Sequence, residues 1–278
     1  MDFARGLAII SVVLLHVVDE YFSKVELTEP QWTLYQGIRI IGRLGVPVFL
    51  MLSGALILSS VSNTPILHFY KKRLPQFIAL TTFYFFITNL FCSLLFNLPF
   101  SFKEYFYSLI AFKPTFAYQL WYMYIIIILY ILAPLIGRAL SIMSNRNIII
   151  AFALYVTTIA LSKMLSPSEF GSLWSKYSSY MAYFVFGYLV FNRGVTDKIS
   201  IRLAFFALIF SFSFTLFVQV YLKEIGAFHG EGMTWYSSPF ILITSMALFT
   251  VISKIKINEY VYLILKPVSL NSFGIYLF

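Results

Sequence analysis

Residues 2–22 read DFARGLAIISVVLLHVVDEYF, and the fold follows from how that stretch must be solvated. From Gly6 to Val18, only Ser11 and His16 interrupt a run of small and apolar residues. Such a run belongs in a membrane. There, a charged side chain at the centre costs ~2.5–3.5 kcal/mol on insertion scales. A histidine held at that depth is therefore a functional-site candidate by default. Asp19 and Glu20 follow Val18 where a small-residue cleavage site would stand, so the segment reads as a retained helix and not a signal peptide.

The rest of the chain extends the pattern. Of its 278 residues, 60% are hydrophobic and 11% charged, with a mean hydropathy of +0.84. Soluble domains carry about 25% charged residues. Apolar runs long enough to span recur at about 3–22, 37–59, 75–98, 117–137, 147–165, 177–192, 200–222 and 237–254, and 268–278 begins another. The fold class is an all-α polytopic transmembrane helix bundle, with about eight complete spans plus the start of a ninth in a single domain over 1–278. Residues 104–113 are too short to cross and read as an interfacial helix. Cys92 alone excludes an internal disulfide, and no metal-ligand spacing, P-loop, dinucleotide fingerprint or serine elbow occurs.

Charge gives the bundle a direction. The N-terminus and the loops near 60–74, 138–147, 193–202 and 254–267 carry twelve basic residues against three acidic ones. The opposite side carries six basic against eight acidic. The positive-inside rule places the N-terminus in the cytoplasm. The outer loop 223–236, KEIGAFHGEGMTWY, is glycine-rich and reads as a plain mobile connection.

Arg5 and His16 are eleven residues apart, close to three turns, so they share a helix face about 16 Å apart along the axis. Imidazoles as a class titrate near neutrality, which suits a general base. Asp19 and Glu20, at i+3 and i+4, are placed to hold the His16 ring. The plain alternative for His16 is packing against a neighbouring helix. Arg39 and Arg43 lie on one face of the second span. Arg39 is expected to snorkel outward, whereas Arg43 is deep and needs a partner or a wet cavity. Pro47 cannot donate to the Arg43 carbonyl, which predicts a kink beside that cation, with Ser53 and Gly54 as a polar notch beyond it. Lys71, Lys72 and Arg73 cluster in HFYKKRLP, either as a topology signal or as an anchor for a phosphate-bearing ligand. Trp121, Tyr122 and Tyr124 fit an interfacial aromatic belt.

Several of these stretches together resemble the acyltransferase family 3 of integral-membrane O-acyltransferases. DFARGLAIISVVLLH is similar to that family's first-helix pattern and RLGVPVFLMLSGALI to its second. FYKKRLP, QLWYMYIIIILYILAPLI, YFVFGYLVFN and SFGIYLF resemble later segments, in order along essentially the whole chain. Within the family, the likeness is to members that acetylate enterobacterial common antigen and related surface polysaccharides. Two departures stand out. Gln76 occupies the place of a second arginine three residues after Arg73, and the chain stops at Phe278 where members continue with a histidine and more helix. The resemblance thus implies truncation at the C-terminus.

It also implies acyl transfer, usually of acetyl, from cytoplasmic acetyl-CoA to a hydroxyl of a surface glycan or lipid-linked glycan, in the bacterial inner membrane and with no metal. On that expectation Arg5, Lys71, Lys72 and Arg73 meet the donor's phosphates. His16 acts as base beside Asp19, and Arg43 steadies the oxyanion. A transporter or flippase using His16 and Arg43 is the alternative from another class, and an inactive assembly partner is a third.

Overall fold

A computed structural model describes residues 1–22, 24–61, 64–99, 101–111, 116, 118–165, 169–226 and 233–277. Among these residues there is no strand. The helices are α1 (Asp2–Phe22), α2 (Glu29–Arg43), α3 (Gly45–Val61), α4 (Ile66–Leu95), α5 (Phe102–Ile110), α6 (Trp121–Ile142), α7 (Asn145–Leu165), α8 (Glu169–Phe191), α9 (Ile201–Glu224), α10 (Pro239–Lys254), α11 (Glu259–Leu270) and α12 (Ser272–Leu277). Five segments are long and apolar enough to cross a membrane: Glu29–Val61 through α2 and α3, Ile66–Leu95, Trp121–Ile142, Asn145–Lys163 and Ile201–Glu224. The other three expected crossings fall on α1, α8 and the shorter apolar α10. The all-α polytopic bundle is the fold.

Three boundaries differ from the sequence expectation. The second crossing begins at Glu29, not near 37, because Thr28 N donates to Gln31 Oε1 at 3.0 Å and Pro30 occupies the first turn. A cap sets that start, and hydropathy does not register caps. The regular helix breaks at Leu44, within a turn of Pro47, whose missing N–H leaves the Arg43 carbonyl without its helical donor. Residues 60–74 are not all loop: α4 starts at Ile66 and already carries Lys71, Lys72 and Arg73. Residues 254–267 likewise hold most of α11, capped where the Asn258 side chain accepts from Tyr260 N at 3.1 Å. Glu259 and Lys266 interrupt its apolar run and hide it from a hydropathy reading. The short α5 buries Tyr105 and exposes Phe102, Phe106, Tyr107 and Ile110.

One compact unit comprises residues 1–59 and 143–275. Its centre is α3, where Leu50, Met51 and Leu58 have no exposed surface. Here α3 crosses α8 with backbones touching. A Cβ on Gly54 would lie 1.7 Å from Phe184 O, and one on Gly187 1.7 Å from Met51 O. In lipid, where apolar burial between helices drives little, such small-residue contacts hold a bundle together. The notch at Gly54 is therefore a packing device. α1 also docks tightly, though less closely, on the α2–α3 junction, where a Cβ on Gly42 would stand 2.7 Å from Leu15 Cβ. α9 and α10 pair through Thr244 Oγ1 donating to Ser211 Oγ at 2.9 Å.

The second unit comprises residues 60–142 with 276–278. Phe85, Tyr105, Leu120 and Met123 form its core. Tyr105 Oη donates to Thr82 O at 3.0 Å, tying α5 to α4. Tyr70 Oη donates to Ile131 O at 2.6 Å, and the Phe77 and Tyr130 rings meet edge to face with centroids 5.0 Å apart. α4 is thereby fixed along α6.

Candidate active site

α1 sets the geometry of the first unit's candidate residues. Ala4, Ala8, Ile9, Val12, Leu15 and Val18 turn inward at helical spacing. Arg5 and His16 lie three turns apart on the edge of that face. Arg5 is half-buried and its Nη1 lies 3.3 Å from Asp2 Oδ1, an i,i+3 pair in the first turn. His16 is exposed and makes no hydrogen bond or ion pair among the described residues. Its ring is accessible to a reactant and its nitrogens are uncommitted.

The carboxylates expected to hold that ring do not. Asp19 Oδ1 is ion-paired with Arg39, 2.9 Å from its Nε, and accepts a hydrogen bond from Tyr35 Oη at 2.9 Å. Glu20 pairs with Lys24, one turn on. The physical reason is burial. Arg39 does not snorkel: its side chain is only 8% exposed, so the nearest carboxylate across the α1–α2 interface goes to it. The Arg39 guanidinium also lies 5.3 Å from the Tyr35 ring centroid. A network of Asp19, Tyr35 and Arg39 thus closes the far end of the α1–α2 hairpin.

Arg43 is buried, as its depth predicts, and finds aromatic rings. Its Cζ lies 4.8 Å from the Trp235 ring centroid and 5.6 Å from that of Tyr236. Gly42 approaches Leu15 closely, and Arg43 and His16 are the next residues along in α2 and α1. Residues 227–232 of the expected outer loop lie outside the described residues, but Trp235 and Tyr236 at its end are part of this site.

Lys71, Lys72 and Arg73 belong to the second unit. All three are exposed and make no ion pair among the described residues. Phe69 and Tyr70 anchor the helix that presents them.

The sequence reading did not single out Lys176, Tyr180, Trp235, Tyr236, Gln36 or Gln219. Gln36 and Gln219 are 2% and 0% exposed, and Gln36 Oε1 and both amide atoms of Gln219 lack hydrogen-bond partners. A polar amide within an apolar run was the available signal. What it faces depends on interhelical register, which a single sequence does not encode.

A helical bundle with several apolar spans and buried arginines among them is an integral membrane protein. A family model described as an acyltransferase domain matches residues 1–278, and the chain belongs to that family, acyltransferase family 3. No curated protein and no solved structure matched the chain. The chain is therefore a membrane acyltransferase, with an acyl donor and an acceptor as its substrates. That membership favours acyl transfer over the transporter reading.

Proposed function

We propose that this acyltransferase moves an acetyl group from cytoplasmic acetyl-CoA to a hydroxyl of a cell-surface glycan or glycolipid, working in the bacterial inner membrane. The observation that carries the proposal is His16: exposed, without hydrogen-bond partners among the described residues, and on one face of α1 with Arg5. A membrane-embedded base that spends no hydrogen bond on structure is free for a substrate hydroxyl.

His16 takes the proton of the acceptor hydroxyl as the oxygen attacks the thioester carbonyl. The tetrahedral oxyanion collapses, the carbon–sulfur bond breaks, and the imidazolium returns the proton to the departing thiolate. General-base help of this type is worth ~10²–10⁴-fold. Arg43, buried against Trp235, steadies the oxyanion, as a fixed cation does better in a dry site than in water. Asp19 acts at one remove, by holding Arg39 and with it the second helix. For donor phosphates there are two separate groups of cations, Arg5 in the first unit and Lys71, Lys72 and Arg73 in the second, each supported by its own charge and by the positive-inside topology.

Mass spectrometry of surface glycans from cells with and without the protein tests the proposal. The expected result is an acetyl ester present only with the protein. Identical glycans would overturn it.

A further inference from the structure

Within the first unit, α2 and α9 run antiparallel and leave a groove of about 1080 Å³ between them. Its lining gives it a direction. At one end Lys223 Nζ lies 2.9 Å from Glu29 Oε1, and at the other stand Ile41 and Phe212. The lining runs from Glu29 to Ile41 on α2 and from Glu224 to Phe212 on α9. On each helix that is about 18 Å at 1.5 Å per residue. One leaflet's half of a ~30 Å hydrocarbon core is about 15 Å. The groove has the depth of a single leaflet.

From Leu34 inward the wall is apolar, with Ile38, Leu216 and Val220 along it. Leu34 and Ile41 are exposed on a segment long and apolar enough to cross a membrane. Gly37 makes the hollow. A Cβ there would meet only Phe212 Cζ at 3.9 Å and Leu216 Cδ2 at 4.0 Å, both ordinary contacts, so the groove is open where a side chain is missing. Water finds no polar partners along such a wall, and a lipid chain fills it instead.

The chain itself selects no particular lipid, since one tail is as apolar as the next. Selection rests with the charged end. There the half-buried Lys223 is held by Glu29, with its Nζ 4.4 Å from the Trp32 ring centroid. Glu224, the next residue, is exposed and makes no hydrogen bond or ion pair among the described residues. One ammonium beside two carboxylates disfavours a head group that is only negative. It suits one that carries both signs. The helix ends agree, because the α2 N-terminus is the positive end of its dipole and the α9 C-terminus the negative end of its own.

We propose that this groove seats one chain of a zwitterionic, amine-bearing phospholipid, with the phosphate on Lys223 and the ammonium on Glu224. The positive-inside count makes that leaflet the outer one. The bound lipid braces α2, the helix that carries Arg39 and Arg43, against α9. It is a partner of the fold and not a substrate, so the site holds for any acyl donor or acceptor.

The test is native mass spectrometry of the full chain, with thermal midpoints on the same samples. Phosphatidylethanolamine, phosphatidylglycerol and diacylglycerol are added separately to protein in detergent. Phosphatidylethanolamine is expected to bind about tenfold tighter than the other two, the scale of one charge-assisted contact, and to raise the midpoint. Gly37→Leu fills the groove and is expected to remove one bound lipid together with that rise. Glu224→Gln is expected to erase the preference and to leave the lipid-free midpoint unchanged. Equal binding of the three lipids, or a preference for phosphatidylglycerol, would overturn the proposal. So would a folded Gly37→Leu protein that keeps its lipid, or one that loses only dimerisation, which would assign the groove to a second copy of the chain. A preference that survives Glu224→Gln would overturn it as well, even where Gly37→Leu fails to fold.

Discussion

Asp19 Oδ1 forms an ion pair with Arg39 across the α1–α2 interface, 2.9 Å from its Nε, and this contact joins the first helix hairpin. Removing one partner of a fully buried pair costs ~3–5 kcal/mol. Asp19 is 32% exposed, so solvent screening reduces that figure to about 2 kcal/mol. Asp19→Asn is therefore expected to lower the thermal midpoint, and Asp19→Asn with Arg39→Met to recover most of the loss. Thermal unfolding in nanodiscs checks both. An unchanged midpoint in the single variant would remove the pair from any structural role.

The α3–α8 crossing allows no added atom. Gly54→Ala places a methyl 1.7 Å from a backbone oxygen, and backbone cannot swing aside as a side chain does. Overpacking costs ~1–3 kcal/mol and sometimes more, and this position belongs at the upper end. The expected outcome is a strong drop in folded yield for Gly54→Ala and Gly187→Ala, read by size-exclusion chromatography in detergent. Normal yields would mean that the two helices sit further apart than described.

Lys71, Lys72 and Arg73 are exposed on the second unit and make no ion pair among the described residues. Reversing all three charges is expected to weaken coenzyme A binding, with a larger effect at low salt because screening shortens the reach of exposed charges. Isothermal titration at two salt concentrations measures it. Unaffected binding would reduce the cluster to a topology signal.

Much of the fold is legible in one dimension, and the losses have specific causes. The apolar runs give the crossings because lipid solvates only such segments, and Pro47 gives the break at Leu44 because a missing N–H acts locally. α11 stays hidden because Glu259 and Lys266 dilute its hydropathy while Asn258 caps it. The partner of Asp19 is the clearer case. Sequence spacing offered His16 within its own helix, but a buried arginine on the next helix outcompetes a neutral exposed ring. The cations around Trp235 were illegible for a related reason, since Lys176 lies far from Arg43 in the chain and only the packing of α8 beside α10 brings both to one indole.

The account turns on His16. Because its side chain is exposed and makes no hydrogen bond among the described residues, His16→Ala is expected to change stability by no more than about 0.5 kcal/mol. The decisive measurement is transfer of labelled acetyl from acetyl-CoA to extracted surface glycan by wild-type and His16→Ala protein in nanodiscs, with thermal midpoints recorded on the same samples. The account predicts equal midpoints and loss of transfer by ~10²-fold or more in the variant. Undiminished transfer by a folded His16→Ala protein would contradict it.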